Sequence, residues 1–433
     1  MKNQLVRMAL GLSATALAVN AAYAQSSISI YGNIDLALDR VGKSAGNVQG
    51  TVYGLANNVP VPNAVASPKT TVTRVAPSLT SQSKFGFKGS EDLGDGYKAG
   101  FTLEGGINAD NGTLSNDGRL FGKLAFVNLS TPYGEVRIGR QMSPMLIGYF
   151  LSSTERLGTT DMMGAGLVTN TLQTYQDNMV AYLLKQGPWL TALSYSPNAG
   201  VASRISAARA PAATEASGQM VGGASAAAET ADGRGRTEGA LLAYTTAEWT
   251  LLAAYHQNRF GNAPVGLATA GGFVPLYVAE SYKGYVAGVK YKVPASGTTL
   301  AVNYALGRFA LKGPDDPDIR TIAAGVKHPV GAFELSAQYV DTRFANYTRG
   351  KDAGVMLGLE YNLSRRTALF MRGGYLKDKR GSVVSSPTGV PLAGGPSLLL
   401  LPLGALEVPL YSGAGQNMDA TTRILAVGIR HAF

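Results

Sequence analysis

Between residues 82 and 141, apolar and polar side chains alternate with a period of two. Phe85 and Phe87 fall on one side, with Lys84, Gly86 and Lys88 on the other. Tyr97, Ala99, Phe101 and Leu103 alternate in the same way with Lys98, Gly100, Thr102 and Glu104. That period belongs to a pleated strand with one apolar face, because successive strand side chains point to opposite sides. Tight turns are expected at Leu93-Gly94-Asp95-Gly96 and Thr131-Pro132-Tyr133-Gly134, whereas the link 108–118 is long and polar. The stretch therefore predicts four strands joined by short, long and short connections.

The same pattern recurs along the chain. In 28–38, Ile28, Ile30, Ile34, Leu36 and Leu38 oppose Ser29, Tyr31, Asn33, Asp35 and Ala37. Residues 40–81 lack a sustained period and read as a long loop. Residues 142–175 break the alternation and are too apolar for a simple solvated loop; a short helix is expected over about 144–152. Strands follow at 177–186 and 189–197, then an Ala/Ser/Gly-rich loop at 198–234. A hairpin at 235–246 and 249–258 leads into a Gly-rich loop at 259–279. Further strands are predicted at 280–293, 298–309, 319–329, 332–343, 352–362 and 366–377. The last long loop, 378–420, carries the apolar runs Ser397–Leu403 and Leu406–Leu410. In the closing stretch 421–433, Leu425, Val427, Ile429 and Phe433 share one face, and Ile424, Ala426, Gly428, Arg430 and Ala432 the other.

The tally is sixteen strands with alternately short and long connections. An even strand number with this loop asymmetry fits a bacterial outer-membrane barrel with short periplasmic turns and long extracellular loops. The fold class expected is therefore all-β, a 16-stranded antiparallel transmembrane β-barrel. Tyrosine is plentiful (21, against two Trp), as aromatic girdles require. A barrel of this strand number leaves a wide channel.

Composition sharpens this picture. Residues 1–24 combine Lys2 and Arg7 with the apolar run Met8–Val19 and Ala22-Tyr23-Ala24, the pattern of a secretory signal peptide. The mature domain is then 25–433. No run reaches the ~20 apolar residues of a membrane helix. With no cysteine, disulfides and thiolate metal sites are excluded. The net charge of +10 is scattered over strands and loops, without a basic helix or an aromatic-basic motif, so it argues for a positive pore rather than nucleic-acid binding.

Chemistry-bearing constellations are few. His256, His328 and His431 each sit alone in a strand, and Gly42-Lys43-Ser44-Ala45-Gly46 matches G-x-S-x-G without the helix a nucleophile elbow needs. No enzyme and no cofactor is expected. Alternation places Asp35, Glu104 and Arg430 on the pore wall, together with Lys84 and, because Val136 and Ile138 face lipid, Arg137.

The segments SKFGFKGSEDLGDG, LFGKLAFVNLSTPYGEV and IGRQMSP resemble strands two to five of the general porins of Gram-negative β-proteobacteria. The resemblance implies an outer-membrane channel for passive diffusion of small hydrophilic solutes and ions, and a homotrimer in contact with lipid and lipopolysaccharide. It puts basic wall residues at Lys84 and, in the GRQ motif, at Arg140. Parity would bring Arg140 inward only if the strand end twists or bulges. The resemblance also implies that the third long loop, 142–175, folds into the barrel and narrows it; here that loop lacks the acidic-aromatic-Gly motif of many members, leaving Glu155 and Asp161 to supply its acidic side. Terminal Phe433 resembles the signature read by the outer-membrane insertion machinery. A weak anion preference follows from the positive charge. The alternatives are a substrate-selective channel shaped by the unusual loops, or a barrel acting as a surface adhesin or receptor through 40–81 and 378–420.

Overall fold

The computed structural model describes residues 27–45, 69–116, 118–156, 158–163, 175–199, 205–206, 235–269, 272–312, 318–345, 351–379 and 420–433. The expected signal peptide, most of the loop 198–234 and the apolar runs Ser397–Leu403 and Leu406–Leu410 lie outside the described residues.

Among the described residues the chain forms nineteen strand segments. In order they are β1 (Ser27–Lys43), β2 (Thr70–Pro77), β3 (Lys84–Gly94), β4 (Tyr97–Asn108), β5 (Thr113–Leu114), β6 (Leu124–Thr131) and β7 (Gly134–Met142). Helix α1 (Pro144–Ser152) separates β7 from β8 (Tyr175–Gln186), which is followed by β9 (Trp189–Ser196), β10 (Ile205–Ser206), β11 (Thr237–Thr245), β12 (Trp249–Thr269) and β13 (Gly272–Lys292). The remainder are β14 (Thr299–Lys312), β15 (Asp318–Val330), β16 (Phe333–Ala345), β17 (Lys351–Asn362), β18 (Thr367–Lys379) and β19 (Thr421–Ala432).

Sixteen of these make a closed antiparallel barrel. The short segments β5 and β10 belong to connections, and β2 continues the line of β3. One edge of β1 takes β3 along Ser27–Asn33 and β2 along Leu36–Lys43; the other takes β19 from Asn33 to Lys43. Closure leaves no strand edge unpaired in an apolar surround, where each orphaned backbone group would be costly. Phe433 extends the seam: its N–H donates to Gly32 O at 3.0 Å, and Gly32 N–H donates back at 3.2 Å. A side chain at Gly32 would collide with the Phe433 ring, so the glycine makes room for the terminal aromatic.

The alternation follows the sequence. Ile28, Ile30, Leu38, Leu425, Val427 and Ile429 are exposed on the outer face, while Asp35, Ala37, Ile424, Ala426 and Arg430 are buried inside. Near the short turns, aromatic pairs form the start of a girdle: Trp189–Tyr244 at 5.0 Å, Trp249–Tyr291 at 4.3 Å and Phe333–Tyr361 at 4.8 Å between ring centroids.

Among the described residues, four expected loops contain strand: 108–118 and 198–234 hold only the two-residue segments β5 and β10, and two others carry longer pieces. Residues 70–77, inside the predicted loop 40–81, return to pair with β1 as β2. The predicted loop 259–279 is largely hairpin: β12 and β13 remain paired out to Thr269 and Gly272, with register shifts at Arg259/Ala263 and Val265/Gly266. Those irregularities, together with Gly and Pro, blur the period-two signal that marks the rest of the strand.

Candidate functional site

The third loop begins at Ser143, whose hydroxyl accepts from Leu146 N–H at 3.2 Å and whose successor Pro144 opens the helix. Helix α1 therefore spans 144–152 as expected. Its Met145, Leu146 and Tyr149 are almost fully enclosed against the inner faces of β11–β13. Beyond the helix, the loop is tied down by polar contacts. Met162 N–H donates to Gln338 Oε1 of β16 at 2.7 Å, and Gln338 Nε2 donates to Asp161 Oδ1 at 3.0 Å. The hydroxyls of Ser153 and Tyr149 also donate to Asp161. Thr159 and Thr160 N–H groups reach Ser78 O and Leu79 O, each at 3.0 Å. The loop thus runs along the inside of the barrel from the end of β7 to residues 78–83, the insert between β2 and β3.

That insert is organised by Asp35. Its carboxylate accepts from the N–H groups of Leu79, Thr80 and Ser81 at 3.0, 3.0 and 2.9 Å and from the Thr80 hydroxyl at 2.5 Å. Three consecutive N–H groups converging on one anion satisfy three backbone donors of this turn at once.

Three charged clusters line the lumen beside the loop. On β17–β19, Glu360 accepts from Arg430, with one bond at 3.1 Å, and from Arg156 of the loop at 3.3 Å. Arg430 also donates to the Thr80 hydroxyl at 2.8 Å, and Arg372 donates to Glu155 at 3.0 Å. On β1, β3 and β4, Lys84 and the Tyr31 hydroxyl meet Glu104 at 2.9 and 3.0 Å. The Lys88 ammonium lies 5.5 Å from the Tyr31 ring centroid, and Lys123 bonds Gln82 and lies over the Tyr175 ring. At the third cluster, Arg140 Nη1 donates to Asp177 at 2.6 Å and Nε donates to Gly122 O at 2.8 Å; Arg119 donates to both Asp177 oxygens at 2.9 Å.

Arg140 sits where β7 and β8 lose register between Gly139 and Gln141. Gly139 has φ +131° there, and Asn178 on β8 has φ +53°. This is the irregularity that alternation required for Arg140; a bulge re-aims one side chain without moving the flanking pairs. Arg137 keeps regular parity, with Val136 and Ile138 exposed on either side, and its guanidinium is held by Glu135 at 2.8 Å and the Phe126 ring. Glu155 and Asp161 are both enclosed, the first on Arg372 and the second inside the loop's own knot, so neither carboxylate is offered freely to the lumen.

Three of the pairs share an asymmetry that Arg140–Asp177 (11% against 21%) and Arg137–Glu135 (25% each) do not show. Side-chain exposure is 24% for Arg74 against 1% for Asp39, 34% for Lys84 against 5% for Glu104, and 45% for Arg156 against 2% for Glu360. The carboxylate is the buried member each time and the cation the lumenal one. Alternation could have found Asp39, Glu360 and Arg372, which continue the inward parity of their strands. Arg156 and Asp177 carry no such signal, one being in a loop and the other at a bulge. Among the described residues, no cluster of His, Asp and Glu is suited to a metal ion.

The arrangement is a set of charged side chains on the inner wall of a barrel, and known proteins of this build are porins. A Gram-negative porin family profile matches residues 11–381. Over the full length of both chains, the sequence is 28% identical to outer membrane porin protein 32 of Delftia acidovorans. It is also 28% identical to an outer membrane porin protein of Bordetella pertussis, over 68% of this chain and 77% of the relative. The fold resembles that of an anion-selective porin from Comamonas acidovorans, with a TM-score of 0.62 and 21% identity, covering 94% of this chain and all of the other. It also resembles OmpT of Vibrio cholerae in a trimer form, with a TM-score of 0.58 and 13% identity, covering 94% and 99%. The chain belongs to the Gram-negative porin family and is an integral barrel of the outer membrane.

Proposed function

We propose that this porin passes small hydrophilic solutes and ions by passive diffusion with a weak preference for anions, acting as a channel and not as an enzyme. The observation that carries the preference is that in Arg74–Asp39, Lys84–Glu104 and Arg156–Glu360 the carboxylate is enclosed and the cation is the exposed member, with Lys88 exposed on the same wall as Lys84. A low-dielectric wall focuses that field across a narrow water path. The anion-selective relative from Comamonas acidovorans supports the reading. Lys84, Arg137 and Arg140 act as the basic wall, Glu155 and Asp161 hold the third loop beside it, and Asp35, Glu104 and Arg430 fix the wall around them.

Single-channel current in a planar bilayer, with the reversal potential taken under a salt gradient, tests this. Ohmic openings with an anion-sided reversal potential are expected. A barely conducting protein would favour the adhesin or receptor reading, and block by one solute alone at low concentration would favour a substrate-selective channel. Asp177→Asn should move the reversal potential further to the anion side, because it leaves Arg119 and Arg140 without their shared countercharge.

The working unit is a homotrimer. Outward Tyr195, Tyr244, Tyr285, Tyr304, Tyr339 and Tyr375 cluster on β9–β18, as a lipid-facing girdle requires, whereas β1, β6 and β7 present mainly aliphatic Ile28, Ile30, Val127 and Ile138. The aliphatic arc is the subunit contact and the tyrosine arc meets lipid and lipopolysaccharide. Val127→Trp should weaken the oligomer on semi-native gels while Val289→Trp leaves it intact; equal behaviour of the two would remove this assignment. Residues 1–24 serve as the export signal, and Phe433 is read by the insertion machinery.

A further inference from the structure

The third loop lies on a wall from which side chains are missing. Gly288 of β13, Gly325 of β15 and Gly354 of β17 sit on the inner face under the loop. A Cβ at Gly288 would stand 2.3 Å from Asn303 Oδ1 of the neighbouring strand β14 and 2.8 Å from Ser152 Cβ, at the end of α1. A Cβ at Gly325 would stand 2.5 Å from Thr154 Oγ1 and 3.0 Å from Met163 Sδ, and all three of its nearest atoms belong to the loop. At Gly354 a Cβ would meet Met162 Cε at 2.6 Å. All of these separations are tighter than ordinary van der Waals contact between carbons. The loop occupies the volume that side chains on a regular strand would fill.

The loop also exposes Phe150 and the Arg156 side chain, and its Glu155 and Arg156 bond Arg372 of β18 and Glu360 of β17. Because its ends are held, at the Ser143 cap and at Gln338, Ser78 and Leu79, the loop cannot slide along the barrel to escape a pushed-up wall. Its remaining freedom is displacement toward the lumen. We propose that the glycines at 288 and 325 are positioning residues that set the bore of the channel by deciding how deeply the third loop seats against the wall. They touch no permeating solute and act only through the loop. The proposal rests on the porin reading above, and the experiment keeps the two apart.

The test is a conductance cycle on the full-length protein in planar bilayers. Gly325→Ala and Gly288→Ala should each lower single-channel conductance, and Gly325→Leu should lower it further, because pore diameter governs passage. Gly373→Ala, where a new Cβ would have its nearest neighbour at 3.8 Å, serves as the strand-glycine control and should leave conductance unchanged. Thr154→Ala removes two of the three loop atoms nearest a Cβ at 325, including the closest, and leaves Met163 Sδ. The double variant Gly325→Ala with Thr154→Ala should therefore recover most of the lost conductance, a coupling that distant, independent sites would not show. Uptake of neutral sugars of graded size into liposomes gives a second measure of bore, in which the size limit should fall for Gly325→Ala and return in the double variant. Unchanged or raised conductance in Gly325→Ala, or a loss that Thr154→Ala does not relieve, overturns the proposal. A wild-type protein that does not conduct would instead overturn the channel reading itself.

Discussion

Converting Lys88 to glutamate and Lys84 to glutamine together should turn an anion-preferring channel into a cation-preferring one. Lys88 is exposed on the inner face, and among the described residues its ammonium is held by the neutral Tyr31 ring, so its charge reaches the lumen without a paired carboxylate. Lys84 neutralises Glu104 at 2.9 Å; glutamine still offers an N–H there but leaves the Glu104 charge uncompensated. The first change removes one positive charge and adds one negative, and the second removes one positive. A unit charge acts on an ion 5 Å away by about 0.8 kcal/mol in water, screened over about 10 Å at 0.1 M salt. Three such charges beside the passage shift the anion-to-cation permeability ratio by about tenfold or more, since about 1.4 kcal/mol is a factor of ten. The reversal potential under a salt gradient should therefore change sign, and the effect should shrink in concentrated salt. A reversal potential unmoved by both substitutions would falsify the assignment of selectivity to this part of the wall.

Asp35→Ala should be the most destabilising single substitution within the barrel's inner wall. The carboxylate is completely buried and accepts three backbone N–H groups and one hydroxyl. Removing it orphans the N–H groups of a turn that Arg430 and the third loop also use, through the Thr80 hydroxyl and the carbonyls of Ser78 and Leu79. Each buried unsatisfied group costs about 1–3 kcal/mol. Partial access of lumenal water lowers the sum, giving an expected loss of about 3–5 kcal/mol. Urea unfolding followed by the gel-mobility difference between folded and unfolded barrel measures it. Asp35→Asn, which keeps one acceptor oxygen, should fall between. Because the loop docks on this turn, the Ala variant should also show noisier single-channel current. A stability equal to wild type would mean that the turn finds other acceptors and that Asp35 does not organise it.

The barrel could be read from the chain because its two faces meet media that differ completely. An apolar surround, lipid or a neighbouring subunit, selects Ile28, Ile30, Leu425, Val427 and Ile429, water selects their neighbours, and a period of two records the choice strand by strand. That rule also placed Asp35, Lys84, Glu104 and Arg430 on the inner face, where they are found. It failed for β2 and for the outer parts of β12 and β13, where the two faces need not differ and the ladder carries irregularities. The helix of the third loop was legible from Ser143-Pro144 and the apolar run behind it, since capping is a local matter.

What the sequence by itself determined is the class of solvent on each face, and with it the strand number, the antiparallel order and the candidate wall. Only the tertiary structure decided which charges are spent on one another. Asp177 meets Arg140 through a bulge, Glu360 meets Arg156 across some two hundred residues of chain, and Glu155 meets Arg372 between loop and wall. Parity assigns a side chain to a face, but an ion pair depends on the height and rotation of two strands and on where a loop comes to rest. Those quantities are set by closure of the whole barrel and by the wall glycines beneath the loop, and no local stretch of sequence encodes them.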